Sequence, residues 1–414
     1  MNIGPILRAM KHNRTRVVLL VLEIALTLAI VTNCVNVILA ERAKMQRPSG
    51  FDDEKILAVR TRPFAPEFRE SETIDMTIDA DLRAIAAIPG VEAVANSHML
   101  LWEGGGSGSQ LKPVGASGPP HRTQRYYATK DIFKVLGMRI VEGRGFQEGD
   151  HGIGTQPDPA RVTVISRSLA EALFPDGRAL GKAVTTASDA GEPSGDPMTV
   201  VGIVDTFFNP YGYNPDDWRG VADRVAFVPA RVGGFRSGMR YFIRTETASM
   251  PRIMGEVEKR LVALNPGRTV QFEPTPEKKA RWFAPANLTI MVMTGLIVLL
   301  VFVTALGILG ITALSVSERT KQIGTRRALG ATRGDILRHF LIENWVTTTA
   351  GLVVGVFGAY ALNFYLVSHL TDVKMPWQLV AIGMVLLWIN GLLATLPPAL
   401  RATHVPPSIA TRSV

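Results

Sequence analysis

Four stretches of this sequence are long and apolar enough to cross a lipid bilayer, and that constrains the fold more than any other feature. The hydrocarbon core asks for about 20 consecutive, mainly apolar residues in a helix. Val17 to Ala40, Asn287 to Leu314, Trp345 to Val367 and Trp377 to Leu396 meet the requirement. The last three contain no Asp, Glu, Lys or Arg, and the first contains only Glu23. A buried helix of a soluble protein is usually shorter, so all four are read as transmembrane helices. Apolar residues nonetheless make up only 47% of the chain, because Glu41 to Pro285 has the composition of an ordinary soluble domain.

Charge fixes the expected orientation. Met1 to Arg16 holds Arg8, Lys11, Arg14 and Arg16 with no acid. Ser315 to Phe340 holds Arg319, Lys321, Arg326, Arg327, Arg333 and Arg338 against Glu318 and Asp335. These two segments carry most of the net charge of +9, which leaves Glu41 to Pro285 close to neutral. Lys and Arg concentrate in short cytoplasmic loops. Both termini and the Ser315 to Phe340 loop are therefore expected in the cytoplasm, with the large domain outside. The basic balance reports topology, and no nucleic-acid partner is expected.

A cleavable signal peptide is the rival reading of the N-terminus. The apolar stretch is longer than a typical signal core, and Ala40-Glu41-Arg42-Ala43 makes a poor cleavage site, so an uncleaved anchor is favoured. Ahead of it, Ile3, Ile6, Leu7 and Met10 recur at helical spacing beside the basic residues. That pattern fits either an amphipathic helix lying in the interface or a plain basic flank.

The external domain carries a weak internal repeat. Ile56 to Arg60 reads as a strand, Asp81 to Ile88 as a helix, and Val91 to Val94 as a strand after the break Pro89-Gly90. Late in the domain Arg240 to Arg244, Ile253 to Leu264 and Thr269 to Phe272 repeat that order. Two β-α-β units flanking a strand-rich middle from Tyr126 to Val204 suggest a split module whose ends both return to the membrane.

The expected fold class is an α-helical membrane protein with four transmembrane helices and a large α+β extracytoplasmic domain inserted between the first and second. The expected segments are an N-terminal segment 1–16, spans 17–40, 287–314, 345–367 and 377–396, and an external domain 41–285. They are completed by a cytoplasmic loop 315–344, an external loop 368–376 and a tail 397–414.

Few residues suggest covalent chemistry. Gly177-Arg178-Ala179-Leu180-Gly181-Lys182-Ala183 imitates a phosphate-binding loop, but it has one residue too few between the glycines and Ala183 where a Ser or Thr should stand. Gly104-Gly105-Gly106-Ser107-Gly108-Ser109 enters no evident helix and reads as a plain loop. The seven histidines show no metal-ligand spacing, and the single Cys34 rules out an internal disulfide. No catalytic residue, bound cofactor or metal is expected of this chain.

The loop after the second span reads as a mechanical element. Ser315-Val316-Ser317-Glu318 has the capping-box pattern for a helix that Gly330 can end, and Thr332-Arg333-Gly334-Asp335 offers a second start feeding the third span. On physical grounds this cationic elbow suits either a push from a cytoplasmic partner or contact with anionic membrane lipid. Glu23 is a possible intramembrane polar site, either a relay or an acid served by partial hydration near the span's end.

Glu318-Arg319-Thr320-Lys321-Gln322-Ile323-Gly324-Thr325-Arg326-Arg327-Ala328-Leu329-Gly330-Ala331, with Ile336 and Glu343 following, resembles the signature of the MacB and FtsX family of ABC-transporter permeases. Tyr126-Tyr127-Ala128-Thr129, Glu142-Gly143-Arg144-Gly145-Phe146, Val164 to Ala170, Leu173-Phe174-Pro175 and Val200 to Val204 are similar to that family's periplasmic core domain. Pro397-Pro398-Ala399-Leu400-Arg401-Ala402 and Pro406 to Ala410 resemble its tail, with a thinner basic cluster.

The resemblance implies a bacterial inner-membrane permease that pairs with a second copy or paralogue and docks on a cytoplasmic ABC ATPase, which would hold the ATP and Mg. Glu318, Arg319, Ile323, Gly324, Arg326, Arg327, Gly330 and Ala331 would form or support the coupling elbow, with arginines pairing acids on the ATPase. MacB carries a fused ATPase domain ahead of its first span, whereas 16 residues stand there in this sequence, so the ATPase is expected on a separate chain. The resemblance further implies export of a hydrophobic compound, peptide or lipid-linked cargo, with a periplasmic adaptor as partner. The alternative is an FtsX-like transmitter of force to an extracytoplasmic effector such as a cell-wall hydrolase.

Overall fold

The computed structural model describes residues 14–103, 107–150, 161–188, 191–208, 223–234, 237–369 and 374–406. They fall into two units: Arg47–Ala284, and Met1–Gln46 together with Pro285–Val414. The N-terminal segment read as interfacial, the Gly104 to Gly106 run and the tail beyond Pro406 lie wholly or mainly outside the described residues.

The first long helix, α1, spans Arg14–Gln46 and leads into the soluble unit. That unit opens with β1 (Ile56–Pro63), α2 (Ser71–Ala86) and β2 (Ala93–Ser97). Its middle holds β3 (Ser107–Pro113), β4 (His121–Ala128), α3 (Ile132–Leu136), β5 (Ile140–Gly143), β6 (Val162–Ser166), α4 (Arg167–Leu173), β7 (Ala183–Thr186), β8 (Met198–Val204), β9 (Val225–Pro229) and β10 (Gly233–Gly234). It closes with β11 (Gly238–Arg244), α5 (Met250–Leu264), β12 (Arg268–Pro274) and α6 (Thr275–Trp282).

The two β-α-β halves interleave in one antiparallel sheet of order β12-β1-β11-β2, the split arrangement of a βαββαβ module. Strand alternation sorts β1 onto two cores. Leu57 and Val59 meet Ile78 and Ile85 of α2 and Ile253, Val257 and Leu261 of α5. Ile56 and Ala58 face the opposite way, toward a core containing Tyr126, Phe207 and Phe227. Beneath the helices, fully buried Arg268 forms a two-pronged ion pair with Asp81, and Tyr241 Oη donates to the same carboxylate at 2.6 Å. The insertion pairs in the order β4-β3-β7-β8-β6-β9, and β9 returns to pair in parallel with β4, so six strands close a ring. The Ser97–Ala128 pairing joins this ring to the module's sheet.

In the membrane unit α1 is followed by α7 (Ala284–Glu318), α8 (Thr320–Ala328), α9 (Arg333–His369) and α10 (Trp377–Thr403). The four long helices are apolar enough to cross a membrane, and each extends beyond its expected span. Close packing on α1 depends on glycine: a Cβ on Gly351 would lie 2.8 Å from the Ile24 Cβ, and one on Gly355 3.0 Å from the Ala25 Cα. Gly351-Leu352-Val353-Val354-Gly355 is a small-xxx-small motif, which lets helix backbones approach in lipid. Polar links reinforce the bundle. Thr27 and Thr304 hydroxyls meet at 2.8 Å, and the Asn33 amide donates to the Ala359 carbonyl at 3.1 Å and accepts from Asn363 at 3.2 Å.

Candidate functional site

The elbow is built where α7 ends. Contrary to the capping expectation, Ser315-Val316-Ser317-Glu318 starts no helix: α7 runs unbroken to Glu318, and the Arg319 N–H still donates to the Ser315 carbonyl at 3.2 Å. The helix propensity of the apolar span carries through the four residues. The break comes one residue later, at Arg319 (φ −98°, ψ 10°), after which α8 runs for 9 residues.

Gly330 does end α8. Its φ of +98° is a left-handed conformation that glycine adopts without strain. The Gly330 N–H donates to the Arg327 carbonyl at 3.1 Å and the Ala331 N–H to the Arg326 carbonyl at 3.0 Å, which is the Schellman pair of bonds. Thr332 and Asp335 set the next helix start. Asp335 N–H donates to Thr332 Oγ1 at 3.2 Å, while Asp335 Oδ2 accepts from the Thr332 N–H at 3.0 Å, a reciprocal capping box that launches α9.

One face of α8 is turned inward. Ile323 packs with Ile336 and Phe340 of α9 and Ala399 and Ala402 of α10, and Gly324 is buried beside it. Arg327 Nη1 donates to the carbonyls of Thr403 at 3.1 Å and Val405 at 2.6 Å. A cation on the last carbonyls of a helix satisfies acceptors that have no partner within it and complements the helix dipole. Arg319 reaches both carboxylate oxygens of Glu343 on α9, at 3.0 and 3.2 Å. Glu318 accepts two hydrogen bonds from Arg16 of α1, at 2.8 and 2.9 Å.

The other face is open. Lys321, Gln322, Thr325, Arg326 and Leu329 are exposed, Leu329 to 83%. Neither the Lys321 ammonium nor the Arg326 guanidinium makes a hydrogen bond or ion pair with the described residues. The eight elbow residues singled out from the sequence therefore divide. Glu318, Arg319, Ile323, Gly324 and Arg327 hold the elbow together, Gly330 and Ala331 turn the chain, and Arg326 projects. The sequence marks Arg16 only as part of a basic flank and Glu343 only as part of the signature, and it joins neither of them, nor the C-terminal carbonyls of α10, to the elbow. A basic residue at the start of one span and an acid just ahead of another carry no spacing signal that joins them.

Glu23 lies apart from the elbow. Its carboxylate rests on Gly307 of α7, where a Cβ would come within 2.5 Å of Oε2, and it is half-buried without a hydrogen-bond partner among the described residues.

The sequence matches the family of MacB-like periplasmic core domains over residues 17–270 and the FtsX-like permease C-terminal family over residues 294–407. This chain belongs to the MacB and FtsX family of ABC-transporter permeases. The macrolide export ATP-binding/permease protein MacB of Azoarcus sp. (strain BH72) is 26% identical over 416 residues, covering 98% of this chain and 58% of that protein. This chain thus spans less than two thirds of that relative's length. The ABC transporter permease YknZ of Bacillus subtilis (strain 168) is 27% identical over 286 residues, 67% of each chain. Among solved structures, the periplasmic region of MacB from Actinobacillus actinomycetemcomitans aligns with a TM-score of 0.34 and 13% identity, covering 57% of this chain and 97% of that one. For the MacB and FtsX family the matches place the soluble unit as a periplasmic domain and the four apolar helices in the inner membrane.

Proposed function

We propose that this chain is the membrane subunit of an ABC export system and that the outer face of α8 is its docking surface for a cytoplasmic ABC ATPase. The observation that carries the reading is the division of α8: one face is locked to α9 and α10, while Arg326 and Leu329 stand free at the tip. An exposed leucine beside a free guanidinium matches a contact with an apolar centre and a carboxylate partner. The alternative contact with anionic lipid calls for a basic face, and Lys321 and Arg326 alone make a thin one.

Motion imposed on α8 would pass to the helices that hold it, with both termini and the elbow in the cytoplasm. Export is favoured over force transmission to a cell-wall hydrolase by the MacB-like core domain and by the export protein among the relatives. A hydrophobic compound, peptide or lipid-linked molecule is the proposed cargo, and a second permease copy and a periplasmic adaptor are the proposed further partners. No chemistry is assigned to the chain itself; ATP and Mg belong to the ATPase.

The test is co-purification from nanodiscs. Wild type should bring down an ABC ATPase and Arg326→Glu should lose it, with the fold intact by melting. Equal recovery from both would remove α8's outer face from the interface.

A further inference from the structure

We propose that the ion pair between Arg16 and Glu318 is the positioning link that makes α1 follow the elbow. The inference rests on the proposed docking of an ATPase at α8.

The other long helices are bound to the elbow by covalent chain or by packing. The chain continues directly from α7 through the break at Arg319, and α9 and α10 share a buried apolar cluster with Ile323. Arg319–Glu343 and Arg327 with the Thr403 and Val405 carbonyls add a polar tie to each. No described residue of α1 takes part in that cluster. A cavity of about 60 Å³, lined by Arg16, Val17, Leu20, Ile311, Ser315 and Phe340 among others, lies between the start of α1 and its neighbours. Apolar packing starts one turn further along, where Leu20 joins Ile308 of α7 and Leu352 of α9, and close contact with α9 starts at Val21 and Ile24. The two-pronged pair crosses the level of that cavity, joining the first turn of α1 to the last residue of α7.

The position gives the pair its importance. Of the four long helices, α1 leads into the soluble unit and α7 leads out of it. Arg16–Glu318 therefore joins, at their cytoplasmic ends, the two helices that the soluble unit joins at the other. Glu318 is also adjacent in sequence to Arg319, so one peptide step at the break holds α1 on one side and α9 on the other. A displacement of α8 reaches α7 through the backbone and α9 and α10 through packed side chains. It reaches the end of α1 through two charge-assisted hydrogen bonds. The pair keeps 38% and 46% of its side-chain surface exposed against 18% for each partner of Arg319–Glu343, so it is the link most easily exchanged for water.

The experiment uses the full chain with its co-purified ATPase in nanodiscs and compares hydrogen exchange with and without ATP plus vanadate. Wild type should show nucleotide-dependent changes at the cytoplasmic ends of both α1 and α7. Arg16→Glu should keep the ATPase bound, keep the change in α7 and lose it in α1, and the swap Arg16→Glu/Glu318→Arg should restore it. A purely structural pair would alter melting without separating α1 from α7 in its response to nucleotide. An unchanged α1 response in Arg16→Glu, or no rescue by the swap, overturns the inference. If wild type binds no ATPase, the proposed function falls and the inference falls with it.

Discussion

Arg327 Nη1 lies 2.6 Å from the carbonyl oxygen of Val405, 78 positions further along the chain. The guanidinium of its neighbour Arg326 makes no hydrogen bond or ion pair among the described residues. Two adjacent arginines of one signature thus do different work, one closing the end of α10 and one facing outward.

Substitution should separate them. Arg327→Ala removes charge-assisted bonds to two carbonyls and should lower stability by about 1–2 kcal/mol. Arg326→Ala, at an exposed site, should stay within about 0.5 kcal/mol of wild type. Melting in detergent reads both, and equal losses would contradict the division of the elbow.

The glycines of α9 make a sharper contrast. Gly351→Ala and Gly355→Ala place a Cβ 2.8 and 3.0 Å from atoms of α1, so both should loosen the bundle. Gly358→Ala, whose Cβ would lie 3.5 Å from the Ala29 Cβ, is an ordinary contact and should be neutral or stabilising by up to about 1 kcal/mol. Thermal stability of the three variants in one detergent decides it, and a Gly358 variant as impaired as the others would refute the close-approach reading.

Asp81 and Arg268 are both fully buried, and Tyr241 shares the carboxylate. Asp81→Ala strands a guanidinium and should cost about 3–5 kcal/mol. The apolar replacement Asp81→Leu/Arg268→Met/Tyr241→Phe should recover most of that loss, because nothing charged is left without a partner. Chemical unfolding followed by a probe in the soluble unit measures both; failure of the triple variant to recover would show that the network fixes the packing of α2 on β12.

Burial pushes the His98 imidazole down from 6.5 to about 4, with Arg240 and Arg125 nearby adding to the effect. Its Nδ1 accepts from the Tyr127 N–H at 3.1 Å, and the ring lies edge-on to Tyr126. A depressed histidine is neutral in the folded state, so the unfolded chain takes the proton first as pH falls. Stability from this group is complete above pH 6.5 and is lost down to about pH 4, by roughly 3 kcal/mol at most. The acid limb of a stability–pH curve should flatten in His98→Asn, whose neutral-pH stability is lower; an unchanged limb would remove His98 from the acid response.

Legibility in the sequence followed the range of the interaction. The four apolar stretches lie within α1, α7, α9 and α10, because an apolar run of that length has one solution in lipid. Both β-α-β repeats fall on real elements, since strands such as Arg240 to Arg244 and the apolar face Ile253, Val257 and Leu261 carry their own periods. Local stops were readable too, in Gly330 and in Thr332 with Asp335. The interleaved order β12-β1-β11-β2 and the closure of β9 on β4 were not, because register across 100 residues leaves no local mark. The elbow's ties failed for the same reason: Arg16 and Glu318 are 302 positions apart. The Gly351–Gly355 spacing does carry a packing signal, embedded in an apolar run.

In the proposed assembly the tip of α8 touches an ABC ATPase. A photo-crosslinking amino acid placed at Leu329 in whole membranes reads that contact, with Met291, exposed in the apolar helix α7, as control. Docking at α8 should give an adduct at position 329, identified by mass spectrometry as an ABC ATPase and reduced by Arg326→Glu, with no ATPase adduct at 291. Adducts to lipid alone at both positions would contradict it.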